Sequence, residues 1–105
     1  MSRFARKRDD NERDIVAALR CYGASVQALD AKGAPDLLVG YQGVTLLLEV
    51  KQHHGKAQTH GKRTESGLLP TQDEWWRSWR GLRPVVVTTA AEAIATLQVA
   101  TKRQP

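Results

Sequence analysis

Three charged side chains, those of Asp36, Glu49 and Lys51, occur in the most apolar stretch of this chain. The dipeptide Gln42-Gly43 divides that stretch into two apolar segments and favours a two-residue hairpin turn. Because residues equally far from such a turn pair across the hairpin, Asp36 should face Glu49, with Cβ atoms roughly 5 Å apart. The two carboxylates would then share one face, where like charges repel.

Side-chain alternation along the second strand of this hairpin places Lys51 beside Glu49 and turns Leu48 and Val50 toward the core. Two facing carboxylates next to a Gly-Ala-Pro loop suit a hard divalent ion such as Mg²⁺, which prefers oxygen ligands. The carbonyl of Val50 could supply another oxygen. Alternatively, the charges at the end of the hairpin form a surface salt-bridge cluster that binds no ligand.

A third acid, Glu12, belongs to a first helix that the sequence predicts at about residues 10–22. Asp9 and Glu12 have the spacing of a capping box, and Gly23 supplies a left-handed stop. Because Glu12 lies one turn before Ile15, its carboxylate is expected on the apolar stripe of the helix. It either completes the cap and complements the helix dipole, or joins the other two acids.

The overall charge favours a polyanionic partner. The 105 residues, which suit a single domain, include 16 Lys and Arg against 11 Asp and Glu, giving a formal net charge of +5 and an isoelectric point near 9.8. If Glu12, Asp36 and Glu49 share one pocket, the outer surface is more basic still. DNA is the natural partner because phosphate contacts release counterions, and internal acids suit metal-assisted attack on a phosphodiester. The alternative is that the charge only keeps the protein soluble.

Two polar segments concentrate basic side chains that could contact a phosphate backbone. Residues 1–8 are expected to form a loose arm, and residues 52–67 a long loop. The candidate DNA contacts in them are Arg6, Lys7, Arg8, Lys56, Lys62 and Arg63. The spacing of His53, His54 and His60 in the loop, with no cysteine among them, favours DNA contact or solvation over zinc binding. For each basic residue, plain solvation is the alternative.

A short strand and a second helix are predicted on either side of the hairpin. The strand is expected over residues 25–29. The helix is expected from Pro70 to about Arg80, with Gly81 as its stop. Two of its three tryptophans should pack in the core, the three being Trp75, Trp76 and Trp79.

The segment PVVVTT, residues 84–89, predicts a strand that is buried on both faces and therefore lies in the centre of the sheet. A helix connects it to the hairpin, so it should run parallel to a hairpin strand. Thr89 and Glu92 are expected to cap a last helix that carries Ile94, Leu97 and Val99. The order helix, strand, hairpin, helix, strand, helix indicates an α/β fold, with helices against a mixed sheet.

Cys21 is the only cysteine, which excludes an intrachain disulfide and favours a reducing compartment. We interpret Cys21 as a small core residue rather than a nucleophile. The apolar runs are far shorter than the roughly 18 residues that span a bilayer, and the first ten residues do not resemble a signal peptide. A cytoplasmic location is therefore expected.

The charged residues occur in the order of a known motif: Glu12, then Pro35-Asp36, then Glu49-Val50-Lys51. This arrangement resembles the PD-(D/E)xK nuclease superfamily. Gln72 at the start of the second helix, with Trp75 three residues later, resembles the virus-type replication-repair nuclease (VRR-NUC) group of that superfamily. The small stand-alone members of the group occur in phages and bacteria. The resemblance spans residues 12 to about 89.

The resemblance implies a restriction-endonuclease-like fold and hydrolysis of phosphodiester bonds that leaves a 5′ phosphate. By position, the ligands of a Mg²⁺ ion, for which Mn²⁺ would substitute, are Asp36, Glu49 and the Val50 carbonyl. Lys51 would orient or help deprotonate the attacking water and stabilise developing charge. Glu12 would join through a water on the metal, and Gln72 would lie beside the lysine.

The resemblance also implies branched DNA, such as a four-way (Holliday) junction, as the substrate. A homodimer would bring two active sites to a symmetric junction, with Trp79 or exposed apolar residues of the last helix in its interface. The protein would act in the cytoplasm of a bacterial or phage-infected host. The alternative from another functional class is a non-catalytic nucleic-acid-binding module whose acid cluster is only structural.

Overall fold

The computed structural model describes residues 10–51 and 70–102. In these ranges the elements are α1 (Asp10–Tyr22), β1 (Ser25–Ala28), β2 (Leu37–Tyr41), β3 (Val44–Val50), α2 (Pro70–Ser78), β4 (Val85–Val87) and α3 (Ala90–Lys102). The four strands form one mixed sheet, so the α/β class predicted from the sequence is confirmed. The predicted basic arm and basic loop lie outside the described residues.

The β2–β3 hairpin has the register that its turn predicts. Gln42 and Gly43 adopt positive φ angles of 49° and 82°, as a two-residue turn matching the strand twist requires. Tyr41 pairs with Val44 next to the turn, and Leu37 pairs with Leu48 at the far end. The register therefore carries Asp36, which precedes β2, to the position opposite Glu49.

The main core lies on one face of the sheet, under α1 and α3. Because side chains alternate along a strand, every second residue of β2 and β3 faces these helices. The buried cluster contains Ile15, Leu19, Ala24, Leu37, Val39, Leu46, Leu48, Val50, Val87, Ala93 and Leu97. The intervening residues of the hairpin, with Asp36 and Glu49 among them, lie on the other face.

The last strand is parallel to β3, as predicted, but it is not central. The strand order is β1-β2-β3-β4, so β4 is an edge of the described sheet, and Val86 is 43% exposed. The prediction of a strand buried on both faces is therefore wrong. Val87 faces the core, whereas Val86 lies beside Glu49 on the other face, where the described elements leave it exposed.

The second helix is shorter and less buried than its sequence suggests. None of its residues is buried, and Trp79, which follows its end, is 39% exposed, so the prediction of two core tryptophans is wrong. The Arg83 guanidinium donates to the carbonyls of Trp76 and Trp79, which satisfies acceptors at the helix end ahead of Gly81. Trp75 and Trp79 stack on each other instead, with ring centroids 4.7 Å apart.

The described parts of α1 and α3 follow their sequence signals except at Cys21, and Asp9 of the predicted capping box lies outside the described residues. The Glu92 N–H donates to Thr89 Oγ1 at 3.1 Å and the Thr88 N–H to Glu92 Oε1 at 2.6 Å, which confirms the predicted cap of α3. Cys21 is exposed rather than a core residue, because the buried stripe of α1 runs through Ile15 and Leu19 and leaves Cys21 on the outer side. None of the described helices has the length and apolar character needed to cross a membrane.

Candidate functional site

Asp36 is fixed beside β3 by backbone contacts on both sides. The Val50 N–H donates to Asp36 Oδ2 at 2.8 Å, and the Leu29 N–H donates to the Asp36 carbonyl at 2.8 Å. Pro35, immediately before it, is fully buried and anchors the loop. These contacts hold the Asp36 carboxylate next to Glu49, as the register requires. Val50 thus enters the site through its N–H, and its carbonyl stays a predicted ligand.

Glu49 is an almost fully buried acid, only 3% exposed. Burial, followed by the negative charge of Asp36, raises the pKa of its carboxyl from 4.5 to about 7, although Lys51 and Gln72 act in the opposite direction. The ionised form is therefore disfavoured by its surroundings. Two ionised carboxylates also cannot hydrogen-bond to each other, so a proton or a cation is needed to stabilise the pair.

The two oxygens of Glu49 have different surroundings. Oε2 accepts a hydrogen bond from Gln72 Nε2 at 2.7 Å and lies 3.7 Å from Lys51 Nζ. Oε1 is buried and has no hydrogen-bond partner within the described part of the chain. A buried carboxylate oxygen without a donor is costly, and either a bound cation or a proton shared with Asp36 would satisfy it.

Lys51 is held through its backbone by two different elements. Its N–H donates to the Val87 carbonyl of β4 at 3.0 Å, and its carbonyl accepts from Asn11 Nδ2 of α1 at 2.6 Å. Its ammonium lies near Glu49, and its side chain is 24% exposed, so the side chain is also accessible from solvent. Asn11 is a site residue that the sequence analysis missed, since no local spacing signals a contact between residues 40 positions apart.

Glu12 is buried at 7% exposure on the inner side of α1, as its position in the apolar stripe predicts. The preceding residue, Asn11, donates a hydrogen bond to the Lys51 carbonyl, so the first turn of α1 lies close to the end of β3. Across residues 10–51 and 70–102, no group of three or more His, Cys, Asp or Glu side chains could hold a metal ion. The structure therefore brings Asp36 and Glu49 together, but does not join Glu12 to them in one such group.

Gln72 reaches Glu49 because α2 approaches the loop before Asp36 very closely. The approach is made at Gly33, which has a φ of +81°. A Cβ atom at Gly33 would lie 2.6 Å from the Thr71 carbonyl oxygen and 3.2 Å from Trp75 Cβ. A residue without a side chain is therefore required where the first turn of α2 contacts this loop.

The donor set of the site suits a hard divalent cation. Mg²⁺ is usually held by one or two protein carboxylates and keeps several waters, so the Asp36 and Glu49 oxygens provide a sufficient protein share. The predicted DNA contacts lie outside the described residues: Arg6, Lys7, Arg8, Lys56, Lys62 and Arg63. The same holds for His53, His54 and His60.

The described site thus consists of two adjacent carboxylates, one ammonium group and one amide, held by both strands of the hairpin, α1, α2 and β4. Such a set can bind a cation and place a positive side chain beside it. No protein-family model, curated protein or solved structure matches the chain.

Proposed function

We propose that this protein is a Mg²⁺-dependent endonuclease that hydrolyses phosphodiester bonds in branched DNA, such as four-way junctions. The proposal includes a restriction-endonuclease-like fold and membership of the VRR-NUC group of PD-(D/E)xK nucleases. The observation that carries it is the buried Oε1 atom of Glu49, which has no donor among the described residues and belongs to a carboxylate beside Asp36. An acid pair of this kind is unfavourable unless a proton or a cation stabilises it, and a divalent cation is the stabilising group that the nuclease proposal requires.

Asp36 and Glu49 would hold the Mg²⁺ ion, with the Val50 carbonyl as a further ligand. When bound, the ion lowers the pKa of water and neutralises charge that develops on the phosphoryl oxygens. The Gln72 amide holds Oε2 of Glu49 at 2.7 Å and so fixes the orientation of the carboxylate. Its role is to keep Oε1 available to the cation.

Lys51 would act on the water and the phosphate. Its ammonium lies 3.7 Å from Glu49 Oε2 and is partly exposed, so a phosphodiester placed at the acid pair would lie within its reach. The Lys51 ammonium would orient the attacking water by hydrogen bonding and stabilise negative charge in the transition state. Because Asn11 and Val87 fix the Lys51 backbone, only the side chain needs to adjust to substrate.

DNA is the proposed substrate because the formal net charge is +5 although two of the acids are gathered in the site. A homodimer acting in the cytoplasm would bring two sites to a symmetric junction and cut both of its strands. Glu12 would assist through water, and the basic arm and loop would contact the phosphate backbone.

The test is a panel of labelled four-way junctions, flaps, splayed arms and linear duplexes incubated with protein in Mg²⁺, in Mn²⁺ and in EDTA. We expect cleavage of branched DNA that needs the metal and leaves a 5′ phosphate. Asp36→Asn and Lys51→Met should each reduce the rate by at least about a hundredfold, the scale of removing one transition-state interaction.

The matched controls replace exposed residues of the same type, with Asp14→Asn for the aspartate and Lys32→Met for the lysine. Both should cut at the wild-type rate. If wild-type protein binds the panel but cuts no member of it, the alternative of a non-catalytic binding module is correct. Undiminished cutting by Asp36→Asn and Lys51→Met would place the active site elsewhere.

A further inference from the structure

An apolar groove lies on the sheet face that carries the acid pair. It has a volume of about 450 Å³. The residues that line it include Leu38 and Leu47 of the hairpin, Trp75 of α2, and Trp79 and Leu82, which follow α2. Trp79 is 39% exposed and Leu82 is 60% exposed, so the described part of the chain leaves this apolar surface open. The described residues that line it include no acid.

The groove begins two cross-strand pairs away from the acid pair, at the next pair on the same face of the sheet. Leu38 pairs with Leu47, and each lies two residues along its strand from Asp36 or Glu49, on the same face. Two residues of a strand span about 7 Å, which is about two stacked nucleotide spacings of a DNA strand. A nucleotide next to a phosphate at the acid pair would therefore reach the groove.

The second helix, α2, also connects the acid pair with the groove. Gln72, Trp75 and Trp79 recur at helical spacing, so they share one side of α2 and its continuation. Gln72 contacts Glu49, and the two indoles stack with an interplanar angle of 14°. A flat, partly exposed aromatic surface next to a phosphate site is what unpaired bases stack on.

Charge decides between a nucleic acid and a second copy of the chain as the occupant. The segment 77–83 carries Arg77, Arg80 and Arg83 and no acid, and all three arginines are exposed. Arg77 forms an ion pair with Asp73 of α2, so the basic character of the segment comes from Arg80 and Arg83. Arg83 donates hydrogen bonds to the carbonyls of Trp76 and Trp79, which holds its guanidinium at the backbone of Trp79, a residue that lines the groove. A two-fold contact would bring this basic segment against itself, whereas a phosphate backbone complements it.

From these observations we infer that the groove binds an unpaired nucleobase of the DNA strand that passes the acid pair, with Trp79 as its stacking surface. This rests on the proposed nuclease function, which brings a DNA strand to Asp36 and Glu49. It narrows the substrate class to branched DNA with unpaired nucleotides beside the cut.

The experiment measures binding of a fluorescein-labelled single-stranded oligonucleotide and of a duplex of equal length, by anisotropy in EDTA. Trp79→Ala should weaken single-strand binding about tenfold or more, the scale of losing one base–aromatic stack, and duplex binding less than about twofold. Leu82→Glu, at an exposed position, should weaken single-strand binding without a risk to folding. The single strand should also quench indole fluorescence of the wild type.

The controls are Tyr22→Ala, which removes an aromatic side chain of similar exposure at 37%, and Ala17→Glu, which adds an acid at an exposed position of α1. Neither should change single-strand affinity by more than about twofold. Equal losses for single strand and duplex, or none, would overturn the inference. So would sedimentation showing that Trp79→Ala turns a dimer into a monomer with single-strand affinity unchanged.

The outcomes separate this inference from the proposed function. Stacking on Trp79 without metal-dependent cutting of any DNA would refute the nuclease proposal and keep the groove as a base-binding site. If metal-dependent cutting is unchanged in Trp79→Ala and in Leu82→Glu, the nuclease proposal stands and the inference that the groove binds a base is refuted.

Discussion

Glu49 is a residue whose charge is opposed by its surroundings. It is 3% exposed, it lies beside Asp36, and its carboxyl has a pKa raised from 4.5 to about 7. A raised pKa means that the folded protein holds this proton more tightly than the unfolded chain does. The free energy of unfolding therefore falls as the pH rises from about 4.5 through about 7, because ionisation is easier in the unfolded state.

We predict that Glu49→Gln, which keeps the shape and removes the charge, gains stability relative to wild type as the pH rises. Without metal, the difference in unfolding free energy between variant and wild type should move in favour of the variant between about pH 5 and about pH 8. The shift should be on the order of 2 kcal/mol, since one pKa unit corresponds to about 1.4 kcal/mol. Urea denaturation in EDTA at the two pH values measures it.

Glu74→Gln is the control for this prediction, because Glu74 is an exposed acid of α2. The difference in unfolding free energy between Glu74→Gln and wild type should change much less over this pH range than the difference for Glu49→Gln. The interpretation of Glu49 fails if Glu49→Gln differs from wild type by the same amount at both pH values. Added Mg²⁺ should stabilise wild type at about pH 8 and leave Glu49→Gln nearly unchanged, because a ligand that binds only the folded state raises its stability.

The sequence predicts the acid pair but not all of its neighbours. Asp36 and Glu49 could be paired in advance because a two-residue turn fixes every later position of a hairpin. Lys51 follows from the alternation of side chains along β3. The contact of Asn11 with the Lys51 carbonyl depends on how α1 crosses the sheet, which no local pattern encodes. No local pattern predicts, either, that one oxygen of Glu49 lacks a hydrogen-bond donor among the described residues.

At the scale of elements, the position of α2 depends on Gly33. The helix contributes Gln72 to the site although none of its side chains is buried, so packing alone holds it weakly. Its first turn contacts the loop at a residue where any Cβ would meet the Thr71 carbonyl at 2.6 Å. This close approach is what brings the Gln72 amide to Glu49.

We predict that Gly33→Ala displaces α2 and lowers the activity, whereas Gly43→Ala does not. The two glycines have nearly equal φ angles of +81° and +82°, so both variants lose roughly 1–2 kcal/mol from the strained backbone. Only Gly33→Ala adds a backbone clash, since nothing lies within 4 Å of a Cβ at Gly43. Denaturation and cleavage rates of both variants measure the difference, and equal rates would show that α2 can shift without affecting the site.

Secondary structure was predictable where one local rule applies and wrong where burial depends on distant elements. The hairpin follows from its turn, and the cap of α3 follows from Thr89 and Glu92. The central position expected for β4 is wrong because three apolar residues in succession do not reveal that the described elements cover only one face of the strand. The core position expected for two tryptophans is wrong because Trp75 and Trp79 pack on each other.

At the scale of the whole molecule, acids are gathered in the site of a basic protein. The formal net charge is +5, and Asp36 and Glu49 lie on the sheet face that also carries the apolar groove. An approaching phosphate is attracted by the whole protein and repelled by this pair. A bound divalent cation would cancel the local repulsion, so metal binding and DNA binding should reinforce each other, as linkage requires.

We predict that the double variant Asp36→Asn with Glu49→Gln binds branched DNA more tightly than wild type in EDTA, and no longer responds to Ca²⁺. At about pH 8, above the pKa of Glu49, neutralising the pair raises the formal net charge of +5 by two and removes two negative charges from the position proposed to bind the phosphate. The gain should be roughly fivefold to tenfold, since two unit charges about 4 Å apart interact by about 1 kcal/mol in water. Anisotropy titrations with and without Ca²⁺ measure both effects.

The control variant Asp14→Asn with Glu74→Gln removes the same charge from exposed positions and should keep the wild-type response to Ca²⁺. If the site variant responds to Ca²⁺ as strongly as wild type does, the cation that assists DNA binding is held elsewhere than between Asp36 and Glu49.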